Sequence, residues 1–582
     1  MTPSKPSRPT TCSASREPNP PPFRMTAVRA AVLVALLLVL AAALRIPALP
    51  RVPPGLNQDE ACNAWNAWCL LKTGRDQSGT RWPLYYLTGL GENRCAIQVY
   101  FIMPFQLVGG LNVWTTRLPF AVAGGLTVFL LYWTVARLFD RTSGLAAGAL
   151  LAVSPWHITL TRLGFEAALA PLFVVGVIAA LVGSGLLATS PTSRPRPLAA
   201  LWTGLLAGLA CYGYAAGRIL IPVLLGALAV ANLGILRMLA REPRGRASLL
   251  GLAVGFAATF GPLAWQHIAR PHELTRRAQD IWLWERQDAF STRLAKVAGR
   301  YVAHFGHDFL FRRGDRYEMQ NARGFGMYGW HVLPLLITGL AVTAPRARSS
   351  VAARTLLLWV LLYPIGDSLH RHAAEDDQGN LVPSLHMLRS APGLPAVAAL
   401  AGVGAAAGYR LLAARVRQLA HAGVAFLILA AGFETLRFGL YFVRDHPRRP
   451  NVAIDFHVDL MQALAWLRPR AETYDAVFVT TTAMNMPYSL VLVGLQYDPH
   501  QWFRDPKDFR PGAGFDLCYR FGRYYFLYDE SVAQRLAALT RNGHLDRVAL
   551  IVRPDEGPPA PPALLIRDPM GVPSLVVYEL EI

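Results

Sequence analysis

The chain has 582 residues, 53% of them apolar and only 16% charged, with a formal net charge of +20. Soluble domains carry about 25% charged residues, so the deficit excludes an ordinary globular enzyme and points to a protein that crosses a membrane many times. The positive charge does not argue for a nucleic-acid partner: Lys5, Lys72, Lys296 and Lys507 are the only lysines, and much of the arginine sits in short loops between apolar runs, where it sets topology.

Residues 1–24 are rich in Pro, Ser and Arg without periodicity, and we read them as a disordered cytoplasmic tail. Met25 opens a better membrane-protein start. The apolar run 29–44 is long enough to span and continues into Arg45, so it reads as an anchor rather than a cleaved signal. The next stretch, PPGLNQDEACNAWNAWCLLKTG, carries the acidic pair Asp59 and Glu60 at the head of a helical run ending at Gly74. Asp is a good N-cap and Glu favours a first turn, so capping accounts for the pair by composition alone. Position adds a second account: a carboxylate just outside a membrane span is placed to take a proton from an acceptor hydroxyl. Trp65, Trp68 and Trp82 fit interface anchors. Segment 96–110 is apolar but short, and predicts a juxtamembrane helix bent at Pro104.

Further spans are expected near 115–137, 144–162, 165–187, 198–216, 218–236, 248–268, 328–345, 351–369, 390–408 and 420–438, about eleven with the first. Arginines in alternate short loops put the N-terminus in the cytoplasm of an inner-membrane protein. Loops 53–114, 269–327 and 370–389 and the C-terminal segment then face outward. Loop 269–327 is itself basic, with Arg270, Arg276, Arg277, Arg312, Arg313 and Arg316. It reads equally as a solvated loop or as a surface for anionic lipid or phosphate. Residues 25–440 make the membrane unit, and 441–582 a soluble α/β domain outside the membrane. In that domain 455–467 and 530–543 predict helices, and 475–481, 488–495, 523–529, 546–552 and 574–580 predict strands. The aromatics Tyr519, Tyr524, Tyr525, Phe526 and Tyr528 suit packing better than sugar binding.

Six cysteines lie scattered without a CxxC, which argues against a metal cluster. Cys62 and Cys69 are too far apart on one helix to bridge; either reaches Cys95 if the loop folds back, but buried thiols acting as small hydrophobes are the simpler reading. His157, Arg162 and Glu166 cluster in SPWHITLTRLGFEAALAP, where two spans meet. Ionisable residues at membrane depth suggest function, although an Arg162–Glu166 pair with Trp156 as anchor explains them as well. Arg218, in CYGYAAGRIL, is the one basic residue of an outward turn, and His386 and Arg389 open another span in SLHMLRSAPGLP. Arginine at such mouths suits a lipid phosphate or simply snorkels. Glu92, with Asp59 or Glu60, offers oxygen ligands for a divalent cation, but no ligand spacing marks a metal.

In order, the first span, PPGLNQDEACNAWNAWCLLKTGRDQSGTRWPLYY, LNVWTTRLPFAVAGG, SPWHITLTRLGFEAALA, SLHMLRS and YFVRDHP with LVGLQYDP resemble bacterial membrane glycosyltransferases of the GT-C class, the group that includes protein O-mannosyltransferases and lipid A aminoarabinose transferases. The resemblance covers about residues 26–530. It implies transfer of a sugar from a polyprenyl-phosphate carrier to a lipid, glycan or protein acceptor on the outer face, with juxtamembrane helices in the first outer loop. The family's catalytic acid falls on Asp59, with Glu60 beside it, and a second acid on Glu166. Arg218 takes the place of a basic residue near the donor phosphate; Arg389, His386 and Arg162 are the further candidates for that phosphate. The family's acid, basic residue and proline pair are here Glu92, Asn93, Arg94, Cys95 and Ala96; the prolines are missing. The rival classes are a transporter, for which internal repeats are expected and none is evident, and an assembly protein whose acids only cap.

Overall fold

The structure is a computed structural model that describes residues 26–90, 92–187, 194–269, 281–375, 380–512, 516–528, 531–534, 537 and 545–582. The tail 1–24, Arg270, Arg276, Arg277, the Glu92 side chain and most of the helix expected over 530–543 lie outside the described residues.

The first helix, α1 (Ala27–Arg45), is apolar on all faces and begins at Thr26, whose hydroxyl accepts the Arg29 N–H. A loop leads to α2 (Gln58–Thr73), which stops at Gly74 in the left-handed conformation (φ 67°). Strands β1 (Tyr86–Gly89) and β2 (Glu92–Cys95) form an antiparallel hairpin. The short helix α3 (Ile97–Gly109) follows, with Pro104 inside it, and then the long α4 (Val113–Leu138), capped by the Asn112 side chain on Thr115 N–H at 3.0 Å.

Seven helices among the described residues are long and apolar enough to cross a membrane, or eight if the bent pair Ala215–Ala231 and Leu233–Arg241 is one span. The sequence suggests about eleven. The difference lies in broken and short segments. The span expected over 144–162 is interrupted at Ser154–Pro155 into Arg141–Ala152 and Pro155–Leu160. Helices Pro197–Ala210 and Trp330–Thr343 are apolar but under 18 residues. Small residues let backbones touch: a Cβ on Gly204 would sit 2.2 Å from the Leu252 carbonyl oxygen of the neighbouring helix Pro243–Ala269.

Beyond the small hairpin of β3 (Ala373–Glu375) and β4 (Leu381–Pro383), the C-terminal segment builds a seven-stranded mixed sheet. Its strands are β5 (Ala476–Thr480), β6 (Lys507–Pro511), β7 (Asp516–Phe521), β8 (Tyr524–Leu527), β9 (Arg547–Val552), β10 (Leu564–Arg567) and β11 (Pro573–Glu581). They lie in the order β10-β11-β9-β5-β8-β7-β6, with β5 parallel to both β8 and β9. The strand expected over 488–495 is instead the helix Pro487–Gly494. Tyr524, Tyr525 and Phe526 are buried in the sheet, and Tyr519 packs on Tyr528 at 5.0 Å.

This sheet unit holds α2 in place. Cys62, Trp65 and Cys69 share one apolar core with Leu464, Val477 and Leu490. Trp65 meets Trp502 edge-on at 6.1 Å, and Trp502 Nε1 donates to the Gln77 carbonyl at 2.9 Å. Trp65 is therefore fully buried rather than an interface anchor, and so is Trp156. None of the described cysteines is in a disulfide.

Candidate active site

The head of α2 separates the two acids that the sequence puts side by side. Asn57, not Asp59, is the N-cap: its side chain accepts the Asp59 N–H at 2.9 Å. Glu60 completes the capping box by accepting the Asn57 N–H at 3.2 Å. One step along a helix turns a side chain by about 100°. That rotation sends Glu60 inward. Its oxygens accept Arg117 Nε and Nη2 at 2.8 and 2.7 Å and the Gly164 N–H at 2.7 Å. Arg117 also donates to the carbonyls of Leu49, Pro53 and Gly55. Both side chains are 0% exposed. The pair closes the loop after α1 onto α4, and Glu60 has no face left for a substrate. Glu60, expected beside Asp59 as a catalytic acid, thus sits in a buried ion pair.

Asp59 stays outside that lock. Its side chain is 33% exposed, and one oxygen accepts Arg94 Nη1 at 2.8 Å. Among the described residues nothing donates to its other oxygen. Arg94 Nη2 reaches both oxygens of Glu166, at 3.0 and 3.2 Å. Three elements distant in sequence thus meet: the first turn of α2, strand β2, and the turn Glu166–Leu169. Arg94 is the residue that the sequence left without a role. Its local context is an arginine in a short polar hairpin, and the partners that define it lie 35 and 72 residues away. The Arg162–Glu166 pair does not form.

The arginines and histidine assigned to a phosphate divide. Residues 94 and 95 are successive in a strand, so they face opposite sides of the hairpin. Arg218 lies on the Cys95 side, its Nη2 2.7 Å from Cys95 Sγ and its guanidinium 5.4 Å from the Tyr86 ring centroid. Its Nε is buried and finds no acceptor among the described residues. Arg162 is clamped on three carbonyls, Arg45, Pro47 and Val52, at 2.8 to 3.0 Å. With its donors turned to the backbone, it holds the loop after α1. His157 beside it is buried against Arg45, at 2.8 Å.

Arg389 and His386 belong to a second charge cluster. Its centre is Asp367, fully buried, with Arg300 Nη2 at 2.8 Å, His304 Nε2 at 3.2 Å and Arg389 Nη1 at 3.6 Å. The His386 N–H donates to the same carboxylate, and its ring caps Leu388 N–H and packs on His372 at 4.3 Å. The helix Met387–Ser390 nevertheless packs on the Glu166–Leu169 turn and on the helix of Arg218, so the two clusters adjoin without merging. No three acids, histidines or cysteines among the described residues are grouped to hold a metal.

A cavity of about 680 Å³ is lined by Arg312, Arg313 and Arg316 of the basic loop that the sequence marks for anionic lipid or phosphate, and by none of the residues expected to act on the sugar. Tyr317 and Asp455 line it, and the Tyr317 hydroxyl donates to Asp455 at 2.9 Å. The Asp455 carbonyl in turn accepts Asn57 Nδ2 at 2.8 Å, which ties the cavity wall to the cap of α2. Burial pushes the Asp455 carboxyl up to about 6, helped by the nearby Glu318 and Glu375. Burial and Asp455 also hold the Tyr317 phenol protonated well above its usual range.

The family model described as dolichyl-phosphate-mannose-protein mannosyltransferase matches residues 93–265. No curated protein sequence matches. Among solved structures, ArnT from Cupriavidus metallidurans in the apo state superposes with a TM-score of 0.53 at 14% identity, covering 94% of this chain and 97% of that one. The same protein bound to undecaprenyl phosphate gives 0.52 at 14% identity, with the same shares covered. The archaeal oligosaccharyltransferase AglB from Archaeoglobus fulgidus, in complex with an inhibitory peptide and a dolichol-phosphate, is similar at 13% identity and a TM-score of 0.49, covering 90% of this chain and 69% of that one. The chain has the GT-C fold of the multi-pass membrane glycosyltransferases.

Proposed function

We propose that this protein is a membrane glycosyltransferase that moves a sugar from a polyprenyl-phosphate donor to an acceptor on the outer face of the cytoplasmic membrane, with inversion. The observation that carries the reading is Asp59: a partly exposed carboxylate with one oxygen fixed by Arg94 and the other unengaged. Support comes from the fold, from ArnT, whose structure holds undecaprenyl phosphate, and from the family model.

In the proposed step the free oxygen of Asp59 takes the proton of an acceptor hydroxyl. The acceptor's hydroxyl oxygen, as it gives up that proton, attacks the anomeric carbon from the face opposite the phosphate, the bond from carbon to phosphate oxygen breaks, and the lipid phosphate leaves with the electron pair. A phosphate is a good leaving group, so one base suffices, the single-displacement half of glycosidase logic. Arg94 orients Asp59 and Glu166 as one unit. Arg218, half-buried behind the hairpin with a buried unpaired Nε, is the arginine we assign to the charge developing on the departing phosphate. Arg162 and His386 serve as supports of the scaffold, and Arg389 braces the neighbouring wall.

Asp59→Asn tests this directly. It keeps the shape and the hydrogen bond to Arg94, and we expect a loss of transfer of about 10²-fold or more with normal membrane insertion. The measurement is mass spectrometry of surface glycans and glycolipids from cells carrying either allele. Wild-type products from the Asn allele at equal protein level would overturn the assignment.

A further inference from the structure

The cavity lined by Tyr317 and Asp455 has walls of unlike charge, and most of those charges are spoken for. Arg449 forks onto Glu318 at 2.7 and 3.1 Å, with Arg323 at 3.5 Å from the same carboxylate. Arg313 lies 3.6 Å from Asp308. Asp315 is buried and turned to His372 and the Met387 N–H. Glu375 accepts Asn451 Nδ2 at 3.2 Å, and Asp455 holds the Tyr317 hydroxyl. Arg312 and Arg316 also line the cavity, and no acid among the described residues pairs with either. Two arginines that line the hollow and pair with no acid among the described residues suit an anion by their own chemistry: each guanidinium is a planar fork that fits phosphate or carboxylate oxygens.

The hollow has the size for a sugar. Pockets that enclose small ligands run from about 300 to 1,000 Å³, and this one measures about 680 Å³. Its walls combine charged side chains and the Tyr317 hydroxyl with the apolar Ala373, Leu381 and Ile454, a mixture that suits the polar edges and apolar faces of a sugar. Tyr317 and Asp455 line it too, and the Asp455 carbonyl is one hydrogen bond from the Asn57 cap that also holds Asp59 N–H. An occupant anchored at Arg312 and Arg316 therefore shares a cavity whose wall is tied to the turn that carries Asp59.

We propose that this cavity is the acceptor subsite, and that the acceptor is a glycan carrying a phosphate or carboxylate group, held by Arg312 and Arg316 so that a hydroxyl meets Asp59. The inference rests on the transfer reaction proposed above, but its binding step needs no donor and is measured separately.

The test uses the full chain in phosphatidylcholine nanodiscs, with saturation-transfer NMR of glucose 1-phosphate, glucuronate and uncharged glucose. The two anionic sugars are expected to bind and glucose not. The variant Arg312→Gln with Arg316→Gln is expected to weaken binding roughly tenfold or more, the usual effect of losing hydrogen bonds to a charged group. Asp59→Asn is expected to weaken binding far less than the double variant does, so failure of the catalytic assignment leaves this result readable. Equal signals from glucose and the anionic sugars, or a double variant that binds normally, would overturn the site. Displacement by equimolar inorganic phosphate would show that the sugar contributes nothing and would overturn the glycan assignment. A double variant that loses only affinity for phosphatidylglycerol nanodiscs would move the arginines to the lipid surface and overturn it as well.

Discussion

Two carboxylate–arginine clusters lie close together, and they are built to opposite ends. In one, Glu60 meets Arg117 with both side chains at 0% exposure and every oxygen engaged. In the other, Asp59 meets Arg94 with a third of its side chain open and one oxygen unused. The residue types are nearly the same and the two acids are neighbours in the chain. What differs is the solvent, and with it the cost of losing a partner. A buried ion pair with one member removed strands a charge, while a partly exposed one lets water take over. The Asp367 cluster, with Arg300 and His304, falls on the Glu60 side of this divide.

The largest effect that would break the comparison is therefore expected at Glu60. Glu60→Gln should destabilise the protein by about 3–5 kcal/mol, because Arg117 is left charged and buried. A drop in yield and in the thermal unfolding midpoint in detergent measures it. Asp59→Asn should leave that midpoint within the range of a surface substitution, about 0.5 kcal/mol. If the two variants destabilise alike, the division between a lock and a reactive group is wrong. Next comes Arg94→Lys, which keeps the charge but cannot span Asp59 and Glu166 with one planar fork. We expect transfer to fall about 10- to 100-fold, with the unfolding midpoint little changed. Wild-type transfer from the lysine variant would show that bridging the two acids is unnecessary.

The division was only half legible in the sequence. Asp59 and Glu166 were marked by their places after membrane spans, and the stop of α2 at Gly74 follows from that glycine's freedom at positive φ. What no local pattern carries is partner choice. Arg117, Arg94 and Gly164 reach the acids from 57, 35 and 104 residues away. The error over 488–495 has a different cause. Tyr488 through Val493 are buried on every side, so the run shows neither period of two nor of 3.6. Pro487 at the first helical position was the missed signal. The span count shrank for a third reason: Pro155 and the bend at Asn232 break runs that hydropathy alone joins.

Asp455 sharpens the comparison by supplying the missing case, a half-buried acid without an arginine. Burial pushes its carboxyl up to about 6 from 3.8, with Glu318 and Glu375 adding to the rise and the Tyr317 hydroxyl opposing it. The folded protein then holds this proton more tightly than the unfolded chain does. Its contribution to stability is present below pH 4 and is lost as the pH rises through about 6, the reverse of an arginine-paired acid. Asp455→Asn keeps an oxygen for the Tyr317 hydroxyl and removes the charge. It should raise stability by about 1–2 kcal/mol at pH 8, less than the full shift implies because the group is partly solvated, and leave it unchanged near pH 4. Unfolding midpoints of both proteins at the two pH values give the answer. A gain of equal size at both would mean that packing, not charge, sets the difference, and that Asp455 belongs with the surface acids rather than between the two clusters.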